Sequence, residues 1–235
     1  MTADARRTRL RERLNRTRES IAAACADAGR DPGSVRLVVV TKTFPASDAA
    51  ALCGLGQADL GENRDQEAAP KAAELASLGL DPVWHFVGQL QRNKARSVAA
   101  YAHWIHSVDR ERLVDALDSA LTPHGRNMNA LVQVSLDGDT SRGGVPVSGI
   151  APLAERIAAS AHLDLKGVMA VAPLGWEPAK AFALLNECSA AVRRVEPAAA
   201  EVSAGMSGDF REAVAAGTTM VRLGRNVLGE REAMA

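Results

Sequence analysis

The sequence lacks an excess of charge of either sign, because 28 lysine and arginine residues balance 28 aspartate and glutamate residues. Proteins that hold nucleic acid or an acidic membrane surface by bulk charge need a basic excess. We therefore expect no nucleic acid and no membrane as a partner. The sequence also lacks a secretory apolar segment near its N-terminus and any apolar run long enough to cross a bilayer. Together these absences predict a soluble cytoplasmic protein.

Cysteine is scarce as well. The three cysteines, Cys25, Cys53 and Cys188, are an odd number and lie in separate segments without the spacing of metal ligands. We expect each to be a small core residue in a reducing compartment, and we predict no metal site. A G-x-G-x-x-G motif after a strand is also missing, which counts against an open dinucleotide-binding sheet.

Apolar runs of strand length alternate with helical segments along the chain. Such alternation indicates parallel strands with helical crossovers. Eight strands in 235 residues predict one closed (β/α)8 TIM-type barrel of the α/β class. An open doubly wound sheet is the structural alternative. The strands are predicted at residues 37–40, 58–60, 83–87, 103–106, 129–136, 163–171, 199–203 and 218–223.

We predict a single domain over residues 1–235, with an extra N-terminal helix within residues 1–30 and the barrel within residues 35–229. On the helix predicted at residues 66–77, Lys71 and Glu74 are expected to be exposed. Trp84 and Trp104 are expected to pack between the barrel and its helices. The charges of the N-terminal helix are expected to form a solvated face; they are Arg6, Arg7, Arg9, Arg11 and Glu12.

Polar side chains gather at the predicted C-terminal ends of the strands, where barrels of this type build their sites. Lys42 comes two residues after the first apolar run, and Pro45 disfavours helix before it. A lysine held at the exit of a buried strand suits a Schiff-base amine, although a solvated loop lysine is the common alternative. Other polar or sulfur-containing residues at such ends are Asn63, His85, Met206, Ser207 and Arg222.

The last two strand ends carry features of a phosphate site. Ser207 precedes a predicted helix, and Gly224 and Arg225 begin the last helical turn, so backbone N–H groups would face an anion there. An ordinary N-cap is the alternative for Ser207, and a salt bridge at the barrel rim is the alternative for Arg222. A lysine opposite a phosphate cradle indicates a phosphorylated aldehyde or ketone, which pyridoxal phosphate or the substrate of a Schiff-base aldolase would satisfy.

Short motifs with polar residues at strand ends run from the first strand to the C-terminal region. They include Val40-Thr41-Lys42-Thr43, Gly61-Glu62-Asn63-Arg64, Trp84-His85-Phe86-Val87-Gly88, His106-Ser107-Val108-Asp109, Gly205-Met206-Ser207-Gly208-Asp209 and Arg222-Leu223-Gly224. In these motifs the chain resembles the pyridoxal phosphate homeostasis protein family, which is similar to the N-terminal domain of alanine racemase.

The resemblance implies a fold-type III barrel that binds pyridoxal 5'-phosphate (PLP) and lacks the racemase's C-terminal β-domain. It implies that Lys42 forms the internal aldimine and that Arg222 faces the pyridine nitrogen. Ser207, Gly224 and the backbone of Arg225 match the phosphate contacts. The residues that match the cofactor-lining positions are Asn63, His85 and Met206.

Three residues depart from the pattern that the family implies. Arg225 stands where threonine or serine is common, so a hydroxyl contact to phosphate is lost while the backbone N–H remains. Gln89 replaces a histidine or proline, and Arg142 replaces a lysine. None of these changes removes the aldimine lysine.

The resemblance favours a monomeric carrier that acts in intracellular PLP homeostasis, has little or no turnover and releases PLP to PLP-dependent apoenzymes. A PLP-dependent amino-acid racemase is the alternative. Racemisation needs a second base opposite the lysine, and the single tyrosine, Tyr101, precedes the fourth strand and is expected at the other end of the barrel. His85 and Cys53 are the remaining candidates for that base.

Overall fold

Eight parallel strands close into a barrel in the computed structural model, which describes residues 2–230. The barrel order is β1, β2, β3, β4, β5, β7, β8 and β9, and β9 pairs with β1 to close it. The two-residue strand β6 pairs with the end of β5. The predicted (β/α)8 barrel is thereby confirmed. The strands are β1 (Arg36–Val40), β2 (Asp59–Glu62), β3 (Val83–Phe86), β4 (Trp104–Val108), β5 (Met128–Ser135), β6 (Val145–Pro146), β7 (Leu163–Met169), β8 (Glu201–Ser203) and β9 (Met220–Leu223).

Helices surround the barrel, and α1 precedes the first strand as predicted. None of the helices in residues 2–230 is long and apolar enough to cross a membrane. They are α1 (Ala3–Asp27), α2 (Ala46–Cys53), α3 (Asp65–Ser77), α4 (Ala95–Tyr101), α5 (Glu111–Leu121), α6 (Ile150–Ala158), α7 (Pro178–Val195), α8 (Phe210–Ala215) and α9 (Arg225–Leu228).

Most of the apolar core lies between the strands and the helices. Side chains alternate along a strand, so Leu37 and Val39 of β1 point outward into this shell. On α5, Leu113 and Leu117 lie one turn apart on the buried face. The shell therefore has the pattern that amphipathic helices and doubly buried strands predict.

The barrel interior holds a different set of side chains. A small apolar cluster there contains Trp104, Leu131, Met169 and Met220. The expectation that Trp104 packs between barrel and helices was wrong, because its position on β4 turns the indole inward. Its ring stacks on His85, with ring centroids 5.6 Å apart.

The N-terminal helix α1 contacts α2, α8 and α9. The last helix, α9, has only four residues, so α1 fills the space beside β9 and β1. Arg6 was expected to be solvated, yet its guanidinium pairs with Asp48 of α2 at 2.5 Å and donates to the carbonyl of Leu228 in α9 at 3.2 Å. Arg6 thereby joins the helices that follow the first and last barrel strands.

Candidate cofactor-binding site

The predicted site residues lie at the C-terminal ends of neighbouring strands. In barrel order, Ser207 follows β8, Gly224 follows β9, Lys42 follows β1 and Asn63 follows β2, while His85 lies within β3. Because parallel strands end at the same face of a barrel, these loops share one mouth. The fold brings together residues that are far apart in the sequence.

Lys42 sits in a tight turn whose backbone is fixed at several points. The N–H of Phe44 donates to the carbonyl of Thr41 at 3.1 Å. Thr43 has φ of +69°, a left-handed conformation that β-branched residues rarely adopt. Its N–H donates to Glu67 Oε2 of α3 at 2.8 Å. This strained, anchored turn holds the half-buried Lys42 at one place at the mouth.

A buried ion pair supports this turn from below. Lys71 of α3 pairs with Glu62 at the end of β2 and donates to the carbonyl of Thr41 at 3.0 Å. Thr41 Oγ1 donates to Glu62 Oε1 at 2.5 Å. Burial raises the pKa of the Glu62 carboxyl, and the nearby Lys71 ammonium opposes that rise. The expectation that Lys71 is exposed was wrong, since the β2 carboxylate draws its side chain inward.

Asn63 is positioned by a glycine of the neighbouring loop. A Cβ on Gly88 would lie 2.1 Å from the carbonyl oxygen of Asn63, so only glycine permits this approach. Asn63 also lines a cavity of about 520 Å³ beside the Lys42 turn, and Gln89, one of the three unusual residues, lines it too. Further lining residues are Arg64, Gln66, Glu67, Gln91 and Lys94.

The loop after β8 presents Ser207 before α8. Asp209 Oδ1 accepts the N–H of Met206 at 2.6 Å, and the Asp209 N–H donates back to the Met206 carbonyl at 3.2 Å. Gly205 makes this turn possible with φ of +90°, since a Cβ there would meet that of Ala213 at 2.8 Å. The turn leaves Met206 exposed and Ser207 half-buried at the mouth.

Gly224 brings the end of β9 against the end of β1. A Cβ on Gly224 would lie 3.0 Å from the carbonyl oxygen of Val40, two residues before Lys42. The N–H groups at the start of α9 have no acceptor within the helix, which is the ordinary state of a first turn. The side chain of Arg225 is exposed, so the Arg225 substitution keeps the backbone donor without filling the mouth.

Arg222 is buried in the barrel just beneath this mouth. Its Nη1 donates to Ser203 Oγ at 2.6 Å, and its Nη2 donates to the carbonyl of Ala170 at 2.9 Å. Burial lowers the pKa of Arg222 to about 10, partly opposed by Asp209, so the group stays cationic at neutral pH. Within residues 2–230, no carboxylate forms an ion pair with Arg222, so the rim salt bridge considered above is not formed there.

His85 lies deeper than the loop residues. Its Nδ1 is 2.9 Å from His106 Nε2, and its Nε2 is 2.9 Å from Asp59 Oδ1. Both ring nitrogens are therefore engaged within the protein. Contact between His85 and a cofactor stays a prediction, and it would use ring carbons.

Two of the three alternative bases, Tyr101 and Cys53, lie outside the barrel. Tyr101 ends α4, packs edge-on against Trp84 and donates to Asp65 at 3.4 Å, and burial together with the Asp65 charge raises the pKa of its hydroxyl. Cys53 ends α2, and burial raises the pKa of its thiol.

Comparison with known proteins agrees with this geometry. Residues 14–232 match the family model described as "Alanine racemase, N-terminal domain". A Mycobacterium tuberculosis protein named pyridoxal phosphate homeostasis protein is 44% identical over 243 residues, covering 96% of this chain and 94% of its own. The chain belongs to the pyridoxal phosphate homeostasis protein family.

Solved structures extend the family likeness. PipY of Synechococcus elongatus, whose structure is described with PLP bound, is 35% identical and superposes with a TM-score of 0.77, covering 89% of this chain and 100% of PipY. Alanine racemase of Corynebacterium glutamicum has a TM-score of 0.71 at 15% identity, with 97% of this chain matching 62% of the racemase. The racemase likeness shows the shared fold alone.

Sequence analysis missed three supporting residues of this family member: Asp59, His106 and Ser203. One signal was available, because Trp104 and His106 are two residues apart on β4 and therefore share a face. The face was assigned to the wrong side of the strand, so the inward direction of His106 was missed.

Proposed function

We propose that this chain binds PLP covalently through Lys42 and acts in intracellular PLP homeostasis with little or no catalytic turnover. The observation that carries the proposal is the convergence at one mouth of an anchored lysine, a buried arginine and two helix N-termini. The ε-amine of Lys42 would add to the aldehyde carbon, water would leave, and a C=N bond would form. PLP supplies that reactive aldehyde when bound.

The residues around the mouth fit the chemical groups of PLP. Ser207 and the backbone N–H groups of Gly224 and Arg225 are donors for the phosphate. Arg222 is a cation for the pyridine nitrogen. Further residues proposed to line the cofactor are Asn63, His85 and Met206.

Arg222 also supports the part of the proposal that concerns turnover. A cation beside the pyridine nitrogen disfavours its protonation, which makes the ring a weaker electron sink. A racemase would use a tyrosine as its second base. The hydroxyl of Tyr101 instead donates a hydrogen bond to Asp65 outside the barrel. We therefore favour a carrier over a racemase.

The proposed setting is the cytoplasm, and the proposed form is a monomer that gives PLP to PLP-dependent apoenzymes. Cys25, Cys53 and Cys188 are free thiols, which supports a reducing compartment. Incubating the PLP-loaded protein with an apoenzyme and following recovery of that enzyme's activity tests the transfer, and light scattering tests the monomer.

The first experiment is the visible absorption spectrum of the purified protein with PLP, before and after borohydride. We expect an imine band that disappears on reduction and a pyridoxyl group on the Lys42 peptide. The Lys42→Ala variant should lose both signals, whereas Lys94→Ala, beside the neighbouring cavity, should keep them. A colourless protein that borohydride leaves unlabelled would overturn the proposal, and measurable racemisation of amino acids would favour the enzyme.

A further inference from the structure

A chain of hydrogen bonds crosses the barrel interior from Arg222 to Asp59. Arg222 Nη1 donates to Ser203 Oγ at 2.6 Å, and that oxygen is 2.9 Å from His106 Nδ1. His106 Nε2 is 2.9 Å from His85 Nδ1, and His85 Nε2 is 2.9 Å from Asp59 Oδ1. The members come from β9, β8, β4, β3 and β2, so the chain exists only when the barrel is closed.

The protons along this chain have a self-consistent arrangement. An ionised Asp59 can only accept, so His85 carries its proton on Nε2. The His85 Nδ1 then accepts from His106 Nε2–H, and the His106 Nδ1 accepts from the Ser203 hydroxyl. The Ser203 oxygen in turn accepts from Arg222. Each link is satisfied when both imidazoles are neutral.

The surroundings of the two histidines favour that neutral state. Burial lowers the pKa of His85 and lowers that of His106 well below its ordinary value. The charges of Arg36 and Arg222 act on His106 in the same direction, while Asp59 opposes the shift at His85. Physical chemistry therefore supports the tautomers that the geometry requires.

The two ends of the chain carry opposite charges. Arg222 is buried at the mouth, whereas Asp59 lies at the start of β2, beside Arg36 at 3.8 Å. Asp59 lines a cleft of about 280 Å³ that also contains Val35 and Gln57. When a chain of hydrogen bonds runs from a cation to an anion, the two charges polarise each hydrogen bond, and the bonds strengthen one another.

We propose that Ser203, His106, His85 and Asp59 are positioning residues that hold the Arg222 guanidinium in one orientation. The proposal rests on the PLP-binding function, because that orientation aims the guanidinium at the pyridine nitrogen. It has an unusual consequence: a carboxylate at the opposite end of the barrel influences the cofactor without touching it.

The first test needs no cofactor. NMR spectra of ¹⁵N-histidine-labelled apoprotein should show His85 and His106 as neutral Nε2–H tautomers. Ser203→Ala should shift the His106 signals, and Ser203→Thr, which keeps the hydroxyl, should restore them. Ser107→Ala is the matched control, because this neighbouring hydroxyl is buried without a hydrogen-bond partner among the described residues. An Nδ1–H tautomer at His106, or His106 signals that do not respond to Ser203→Ala, would refute the proposed chain of hydrogen bonds.

The second test uses PLP-loaded protein. Ser203→Ala should shift the absorption band of bound PLP and release PLP about ten-fold faster, since a hydrogen bond to a charged group is lost. Asp59→Asn keeps an acceptor for His85 and removes the charge, so a smaller acceleration of about two-fold is expected. Asp164→Asn, at the same end of the barrel, is the control.

The two tests separate the failures of the two proposals. If the unmodified protein takes up no PLP, the proposed function fails, and the NMR result alone decides whether the chain of hydrogen bonds exists. If it takes up PLP and both variants match their controls in spectrum and release, the positioning role is refuted.

Discussion

The two faces of the barrel strands carry different kinds of side chain, one facing the barrel interior and the other facing the surrounding shell of helices. The shell consists of two large apolar clusters between strands and helices. The interior holds only a small apolar cluster and is crossed by Arg222, Ser203 and two histidines. Branched aliphatic side chains commonly fill such interiors. The difference indicates that stability comes mainly from the shell, whereas the interior holds charge in place.

The interior can carry these polar groups because each is hydrogen bonded. A buried polar group without a partner costs free energy, but a satisfied network makes the interior rigid. The buried Glu62–Lys71 pair is an exception to this contrast between an apolar shell and a polar interior, because it is a charged pair placed in the shell.

The largest effect is expected from Lys71→Met, which leaves Glu62 buried without its cation. The free energy of unfolding should fall by about 3–5 kcal/mol, measured by chemical denaturation. The double variant Glu62→Gln/Lys71→Met should recover most of that loss. A loss below about 1 kcal/mol in the single variant would mean that water screens the pair.

Truncating the apolar shell is expected to reduce stability without changing cofactor chemistry. Leu117→Ala removes a fully buried side chain of α5 and should lower the free energy of unfolding by about 3 kcal/mol. The PLP absorption band per folded molecule should stay as it is. Leu174→Ala, at a side chain that is 93% exposed, is the control and should change neither quantity. A shifted PLP absorption band in Leu117→Ala would show that packing in the shell also influences the cofactor.

The interior histidines predict a loss of stability in acid. Burial lowers the pKa of His85 and His106, so below about pH 6.5 the unfolded chain binds protons that the folded protein does not. The free energy of unfolding should therefore fall as pH drops from the unfolded value toward the lowered folded values, by about 1.4 kcal/mol per pH unit for each histidine.

Chemical denaturation between about pH 7 and pH 5 measures this slope, within the range where unfolded histidines titrate. His106→Gln should lower by one the number of protons taken up on unfolding, and the slope should fall accordingly. The exposed His124 offers the control variant His124→Gln, which should leave it unchanged. Equal slopes for His106→Gln and the unmodified protein would show that His106 is already protonated in the folded state.

The smallest effect concerns the strained turn at the mouth. Thr43→Gly and Thr43→Ala both remove an exposed side chain, but only glycine adopts φ of +69° without strain. The glycine variant should be more stable than the alanine variant by about 1 kcal/mol in chemical denaturation. Equal stability would mean that the turn relaxes and that Glu67 does not fix the backbone.

The sequence predicted features that depend on local pattern. The alternation of strands and helices identified the barrel, and residues such as Lys42 and Ser207 were placed at the correct strand ends. Helix α4 begins only at Ala95, well after Gly88, whose backbone is packed against Asn63. The polar loop after β5 also contains a short strand that no periodicity revealed.

Partners across the barrel could not be predicted from local pattern. His106 and Ser203 are 97 residues apart in sequence, and their contact depends on the closure of all eight strands. Lys71 appeared exposed on a helix because nothing in its own segment reveals the β2 carboxylate beneath it. The outward assignment of Trp104 failed for a related reason, since alternation defines two faces but does not say which one is inside.

The pairing of β1 with β9 sets an order of events during synthesis. Arg36 pairs with Met220, so the strand that carries Lys42 leaves the ribosome long before its neighbour exists. Until β9 is made, Gly224 cannot pack against Val40, and the loops that we propose to hold phosphate are not yet assembled opposite Lys42. The nascent chain thus contains Lys42 first and the complete mouth last, so the proposed binding of a cofactor through both its aldehyde and its phosphate must wait for the final strand.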